Sequence, residues 1–372
     1  MVRRLARTLA ATALVCAMAP RAAAAYSVLA HESNIDAVWE SHIRPVLLAR
    51  YPSTGADGLL EARAYAYGGS VIQDLGYFPF GSKFFTNLVH YVKTGDFVEA
   101  LLKDASDVNE YAFAIGALCH YASDNEGHSI AVNRAVPMVY PKLRRKFGDV
   151  VPYEKAKKEH VLVEFAFDVL LVAHDVHQLQ AYHEFIGFKV AKPVLERAFL
   201  ETYGLEMNDL FLGEDLAIAT FRHAVGTTIP NVTKIAWDKK QEQIQKTTPG
   251  MLREKFVLSL PPAEYHQRYG EDYRKPRGFT RVLGFLYGLL PKIGPLRPLA
   301  FKVPTPEAEQ LFLDSLVRTR ERFSTSLNSL RRGTLNLTNL NMDTGKPVVQ
   351  GESRLADETL QELLERTAKK SL

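Results

Sequence analysis

Residues 109–134 read NEYAFAIGALCHYASDNEGHSIAVNR. Small and apolar side chains recur here at helical spacing, and Asn109 stands where an N-cap is expected, so the stretch predicts one strong helix. Its polar residues are ordered. His120, Asp124 and His128 are spaced four and four, and on a helix each step of four drifts by only about 40°, which puts them on one face. That face continues through Gly116, which leaves room beside it. A buried face carrying two imidazoles and a carboxylate is costly unless something satisfies it, and a divalent cation does so directly.

The same spacing recurs downstream. His160 and Glu164 are four apart among Val161, Val163, Phe165 and Phe167. Upstream stand Asp74, just before a glycine loop, then His90 in Asn87-Leu-Val-His-Tyr, and His31 near the start. A lone buried histidine is ordinarily satisfied by hydrogen bonds, and a His/Glu pair at i,i+4 is ordinarily a surface contact. Eight such residues in this order are not explained that way. His42, His174, His177, His183, His223 and His266 lack comparable partners and read as ordinary histidines.

Outward from this core, helical periodicity dominates and no convincing run of alternating strands occurs, so the fold class is all-α. Helices are predicted over 35–47 with Asn34 as cap, 58–74 loosened by Gly68-Gly69, 84–93, 96–105, 154–173, 191–202, 209–225, 305–332 and 355–369. Residues 76–81 read as a loop. The region 230–305 is rich in Pro and Gly and holds an apolar segment, Val282 to Leu290. The expected organisation is a leader over 1–25, a helical domain over 26–229, a Pro/Gly-rich insertion over 230–305 and C-terminal helices over 306–372.

The leader reading rests on Arg3, Arg4 and Arg7, an apolar stretch from Leu9 to Met18, and a small-x-small site at Ala23-x-Ala25. Cleavage after Ala25 predicts a secreted or periplasmic chain that begins at Tyr26. Four of the 46 basic residues lie in 1–25 with no acidic one, leaving 42 of each sign. A neutral mature chain offers no whole-chain basic surface for nucleic acid. Of the two cysteines, Cys16 and Cys119, only Cys119 survives that cut, so any metal site must use His and carboxylates.

These residues resemble the zinc-dependent phospholipase C/D superfamily: bacterial phospholipase C, the catalytic region of glycosylphosphatidylinositol-specific phospholipase D and, more distantly, single-strand-specific nucleases of the S1/P1 type. The family order is matched by Tyr26, His31, Asp74, His90, His120-x3-Asp124, His128 and His160-x3-Glu164. The short step from Asp124 to His128 and the segment Gly69-Ser-Val-Ile-Gln-Asp74 are similar to the phospholipase D branch. The resemblance covers roughly residues 26–170 and implies up to three zinc ions. Asp74, His90 and His120 would hold one, Asp124 would bridge to a second held by His31 and the amine and carbonyl of Tyr26, and His128, His160 and Glu164 would hold a third. Tyr26 departs from the tryptophan that begins the bacterial phospholipases and nucleases.

The implied activity is phosphodiester hydrolysis, with bound water ionised near neutral pH and Asp74 assisting the attack. Glu32 and Glu126 lie beside ligands and are candidates for orienting imidazoles, though the bystander reading is favoured for each. A phospholipid substrate, and contact with a membrane surface, fit the aromatic loop Leu75 to Phe85 and the apolar segment Phe279 to Ile293, although packing inside a helical core explains both more simply. The alternatives are a nuclease acting on single strands and a non-catalytic member of the fold; the complete ligand order disfavours the latter.

Overall fold

Local signals start the helices where side-chain oxygens meet free N–H groups. Ser82 accepts from Phe85 N, Asp107 from Asn109 N and Glu110 N, and Thr305 from Ala308 N with Pro306 at the first turn. The computed structural model describes residues 28–78, 80–173, 189–223 and 301–370, with residues 237, 241, 242 and 245. Tyr26 and the leader, the segment from Phe279 to Ile293, and His174, His177, His183 and His266 lie outside the described residues.

In chain order the helices are α1 (Val28–Val38), α2 (Arg44–Arg50), α3 (Ala56–Val71), α4 (Lys83–Tyr91), α5 (Thr94–Asp104), α6 (Val108–Glu126), α7 (Asn133–Val139), α8 (Pro141–Phe147), α9 (Lys157–Ala173), α10 (Lys192–Tyr203), α11 (Glu214–His223), α12 (Pro306–Arg331) and α13 (Arg354–Lys370). A two-residue hairpin, β1 (Leu340–Asn341) with β2 (Lys346–Pro347), is the one sheet among the described residues. The all-α expectation holds.

Three expectations about helix ends are corrected. Asn34 does not cap a helix. It lies inside α1 and donates to Ser123 Oγ at 3.2 Å, while Asp168 receives the Leu29 and Ala30 N–H groups, each at 3.1 Å. Asp107, not Asn109, caps α6. Finally, the helix expected over 209–225 divides into a 3-10 turn, Met207–Leu210, and α11.

Gly69 does not loosen α3. A Cβ there would lie 1.9 Å from Phe113 O, and one at Gly116 would lie 2.1 Å from Ala66 O. The two glycines instead let α3 and α6 approach backbone to backbone, the most extensive helix pairing among the described elements. The aromatic loop packs inward, as the simpler reading expected: Leu75 and Phe85 are fully buried, Phe85 lies against Phe199 and Phe211, and Phe78 meets Phe221 edge-on. Each fully buried Phe contributes roughly 1.5–3 kcal/mol.

The C-terminal helices join the same core. Phe323, Leu327 and Leu363 belong to the cluster built by α1 to α6 and α10, and Phe312 of α12 stacks on Phe167 of α9 at 4.5 Å. Between α12 and α13 the chain runs back along α4 to α6. Leu340 and Thr94 exchange two hydrogen bonds, Asn339 Oδ1 accepts from Gly95 N and Asp96 N, and Met342 N donates to His90 O at 3.0 Å. Among the described residues no helix is long and apolar enough to cross a membrane.

Candidate metal centre

All eight described candidates are buried and come from six places in the fold. His31 lies on α1 and Asp74 on the 3-10 turn Ile72–Tyr77 that follows α3. His90 lies on α4, and His120 and Asp124 on α6. His128 lies on a π-helical turn, Gly127–Val132, and His160 and Glu164 on α9. None exceeds 3% exposure, so every lone pair in the cluster needs a partner inside the protein.

Two overlapping groups converge. His31, His120 and Asp124 form one and Asp74, His90 and His120 the other, with ligand atoms within 4.8 Å of one another in each. Asp124 faces both. Its Oδ1 is 3.5 Å from His31 Nε2, and its Oδ2 is 3.3 Å from His90 Nε2 and 3.4 Å from His120 Nε2. Asp74 Oδ1 is 3.3 Å from His90 Nε2. A third group gathers on Glu164 Oε1, 3.6 Å from His128 Nε2 and 4.0 Å from His160 Nδ1. The π turn explains why His128 joins this group. The wide turn breaks the α-helical register after Asp124, so His128 leaves the stripe that its spacing predicts and faces Glu164.

The outer nitrogens settle what the inner ones offer. His90 Nδ1 is 2.8 Å from Thr86 O, His120 Nδ1 is 2.9 Å from Ser70 O, and His160 Nε2 is 2.5 Å from Val151 O. A carbonyl only accepts, so each of these nitrogens carries the hydrogen, and in its neutral form each ring turns a bare lone pair inward. His128 Nδ1 donates in the same way to Asp343 Oδ1 at 3.1 Å. The centre is therefore a convergence of acceptors. Asp74 Oδ1, both oxygens of Asp124, His128 Nε2, His160 Nδ1 and both oxygens of Glu164 are buried without a hydrogen-bond partner.

Electrostatics show the same shortage of positive charge. Burial, then the charge of His120, lowers His31 to about 3, and burial lowers His160 to about 4, so both imidazoles are neutral at pH 7. Burial, then the charges of Asp124, Asp74 and Asp343, pushes Glu164 well above the usual carboxylate range. Burial also opposes a charge on His90, but Asp124 and Asp74 outweigh it and raise the group to about 10. Without a cation, a proton on His90 must stand between the two carboxylates. Neutral imidazoles and carboxylates aimed at one another are the donor set of zinc, and these residues fit it.

Glu32 and Glu126 are bystanders to the centre, as the favoured reading expects. Glu126 pairs with Arg322 at 2.7 Å, and Glu32 faces Asp36 and Asp168, where burial first and then their charges push its carboxyl up. The imidazoles are oriented instead by the carbonyls of Thr86, Ser70 and Val151 and by Asp343. Nothing in the polar stretch around Asp343 marks it in the sequence. His42 sits at the surface beside Ser41.

Residues 38–212 match the sequence profile of the zinc dependent phospholipase C family. No curated protein and no solved structure gives a significant match. The matched segment takes in Asp74, His90, His120, Asp124, His128, His160 and Glu164 and leaves out His31 and Asp343. That match, with the buried Asp74, His90 and His120 group able to bind metal inside it, supports membership of the zinc-dependent phospholipase C superfamily over residues 38–212.

Proposed function

We propose that this chain is a secreted, zinc-dependent phosphodiesterase of the phospholipase C/D type that acts on phospholipids. The observation that carries the reading is the buried convergence of acceptors: imidazole lone pairs and carboxylate oxygens without a hydrogen-bond partner meet where a divalent cation would satisfy them together. Asp74, His90 and His120 would hold one zinc. His31 and Asp124, with the amine and carbonyl of Tyr26 once the leader is removed, would hold a second. His128, His160 and Glu164 would hold a third. Zinc at these positions supplies a Lewis acid for the phosphoryl oxygens and an acidified water at neutral pH.

The protein's own residues do the rest. Asp74 Oδ1, free of hydrogen bonds, takes the proton of the attacking water. Asp124 divides its two oxygens between His31 and the His90/His120 pair, which fixes the spacing of the two neighbouring sites. The carbonyls of Thr86 and Ser70 hold His90 and His120 in the tautomer that leaves Nε2 bare. The family match over residues 38–212 favours the phospholipid over a nucleic acid, and the balance of 42 basic and 42 acidic residues after residue 25 points the same way.

The test is metal content per chain, by plasma mass spectrometry, on protein beginning at Tyr26 and purified without chelator, followed by hydrolysis assays. Two to three zinc per chain, with release of headgroup or phosphorylated headgroup from phosphatidylcholine or a glycosylphosphatidylinositol, is the expected result. His120→Ala and Asp124→Ala should lose metal and activity together. Absence of zinc uptake defeats the metal centre. Zinc uptake with cleavage of single-stranded DNA alone replaces the phospholipase reading with the nuclease one.

A further inference from the structure

Asp343 lies 215 residues from His128 in sequence, beyond the family-matched segment, yet its Oδ1 accepts from His128 Nδ1 at 3.1 Å. The carboxylate is buried and cannot turn freely. Its Oδ2 accepts the Tyr153 N–H at 2.9 Å, and the residue's own carbonyl accepts from Asn133 Nδ2 at 2.6 Å. Tyr153 stands two residues from Val151, whose carbonyl receives His160 Nε2, and Val151 N donates to Asn133 O at 2.8 Å. One carboxylate thus touches His128 directly and fastens the short loop that aims His160.

Resting on the metal-centre reading above, we propose that Asp343 is a positioning residue for the site formed by His128, His160 and Glu164. It would hold the proton on His128 Nδ1, so that Nε2 faces Glu164 Oε1 as a bare lone pair. An imidazole bonded to a carboxylate is locked in one tautomer and orientation and is made a stronger donor toward metal. Thr86 and Ser70 do this for His90 and His120 through neutral carbonyls on the ligands' own or adjacent helices. For His128 the π turn carries the ring away from such a carbonyl, and the C-terminal segment supplies a charged acceptor instead. The family-matched residues alone would leave this ring without its partner.

The experiment is a zinc titration of the full chain from Tyr26, stripped of metal and competed with a chromogenic chelator, comparing wild type with Asp343→Asn. One zinc equivalent should weaken about 10- to 100-fold and the others should stay within about twofold. Unchanged affinity at every equivalent overturns the proposal. So does an equal loss at all of them in step with a lower melting temperature of the metal-free variant, which marks a purely structural role. Should the variant fail to fold, the wild-type chain still decides: a nitrogen-15 imidazole spectrum of the zinc-loaded protein should place the proton of His128 on Nδ1, and a proton on Nε2 overturns the assignment. A wild-type chain that takes up no zinc defeats the metal centre itself, and this proposal falls with it.

Discussion

His90 and His120 hold their Nε2 atoms 3.2 Å apart, each ring having given its Nδ1 hydrogen to a main-chain carbonyl. Two lone pairs at that distance repel unless a proton or a cation lies between them, and Asp74 and Asp124 add negative charge beside them. The centre is therefore a region of the fold that costs stability when empty. Zinc should raise the melting temperature of chelator-treated protein, with a gain of about 4 kcal/mol when zinc exceeds its dissociation constant a thousandfold. Asp124→Asn should remove most of that gain, because it withdraws charge from both groups at once. Scanning calorimetry with and without zinc checks this; an equal zinc shift in the variant contradicts it.

Gly116 gives a second prediction. His120 reaches Ser70 O only because α3 and α6 touch, and a Cβ at Gly116 would stand 2.1 Å from Ala66 O and 2.8 Å from Ser70 N. These are backbone atoms, so the helices themselves must part. Gly116→Ala should destabilise the protein by about 1–3 kcal/mol and lower zinc occupancy. Denaturant unfolding and metal content are the measurements. Wild-type values for both would mean that the crossing has slack.

How far the centre could be read in advance follows from distance along the chain. Ligands that share a helix, such as His120 with Asp124 and His160 with Glu164, announce themselves by spacing, because four residues return to one face. Glu32 and Glu126 read as bystanders, and they are: residues one or two places from a ligand on a helix point about 100° or more away from it, so nearness in sequence is not contact. Asp343 was illegible, since its partner lies 215 residues away. The same holds for the carbonyls of Thr86, Ser70 and Val151, whose placement depends on backbone geometry. Gly116 was read correctly as making room. Gly69 was read as a weak point because its crossing partner, Phe113 O on α6, cannot be seen from α3 alone.

Asp168 supports a third prediction. Its two oxygens receive the N–H groups of Leu29 and Ala30 in the first turn of α1, which also carries His31. Asp168→Ala should cost about 1–2 kcal/mol as a lost helix cap and loosen the first turn that carries His31. The zinc equivalent that depends on His31 should weaken while the one built on His160 and Glu164 holds. Titration with a chromogenic chelator resolves the two, and equal affinity at both would separate the cap from the metal.

The last prediction concerns acid. Burial pushes Glu110 up, but the Ser106 N–H and hydroxyl and the Arg197 guanidinium overcome it and hold the carboxyl below the usual range. The three contacts lie at 2.9, 2.8 and 2.7 Å. A carboxyl whose folded value is depressed binds its proton more readily in the unfolded chain, so folding is favoured wherever the group is ionised. That contribution is complete above the ordinary glutamate value of about 4.5 and disappears as the pH falls through the lower folded value. Glu110→Gln should therefore be less stable at pH 7, by about 1 kcal/mol for weakened charge-assisted hydrogen bonds. It should also lose less stability than wild type between pH 5 and pH 3. Urea unfolding of the metal-free chain at the two ends of that window measures the difference in slope, and parallel curves would show that Glu110 does not contribute to acid sensitivity.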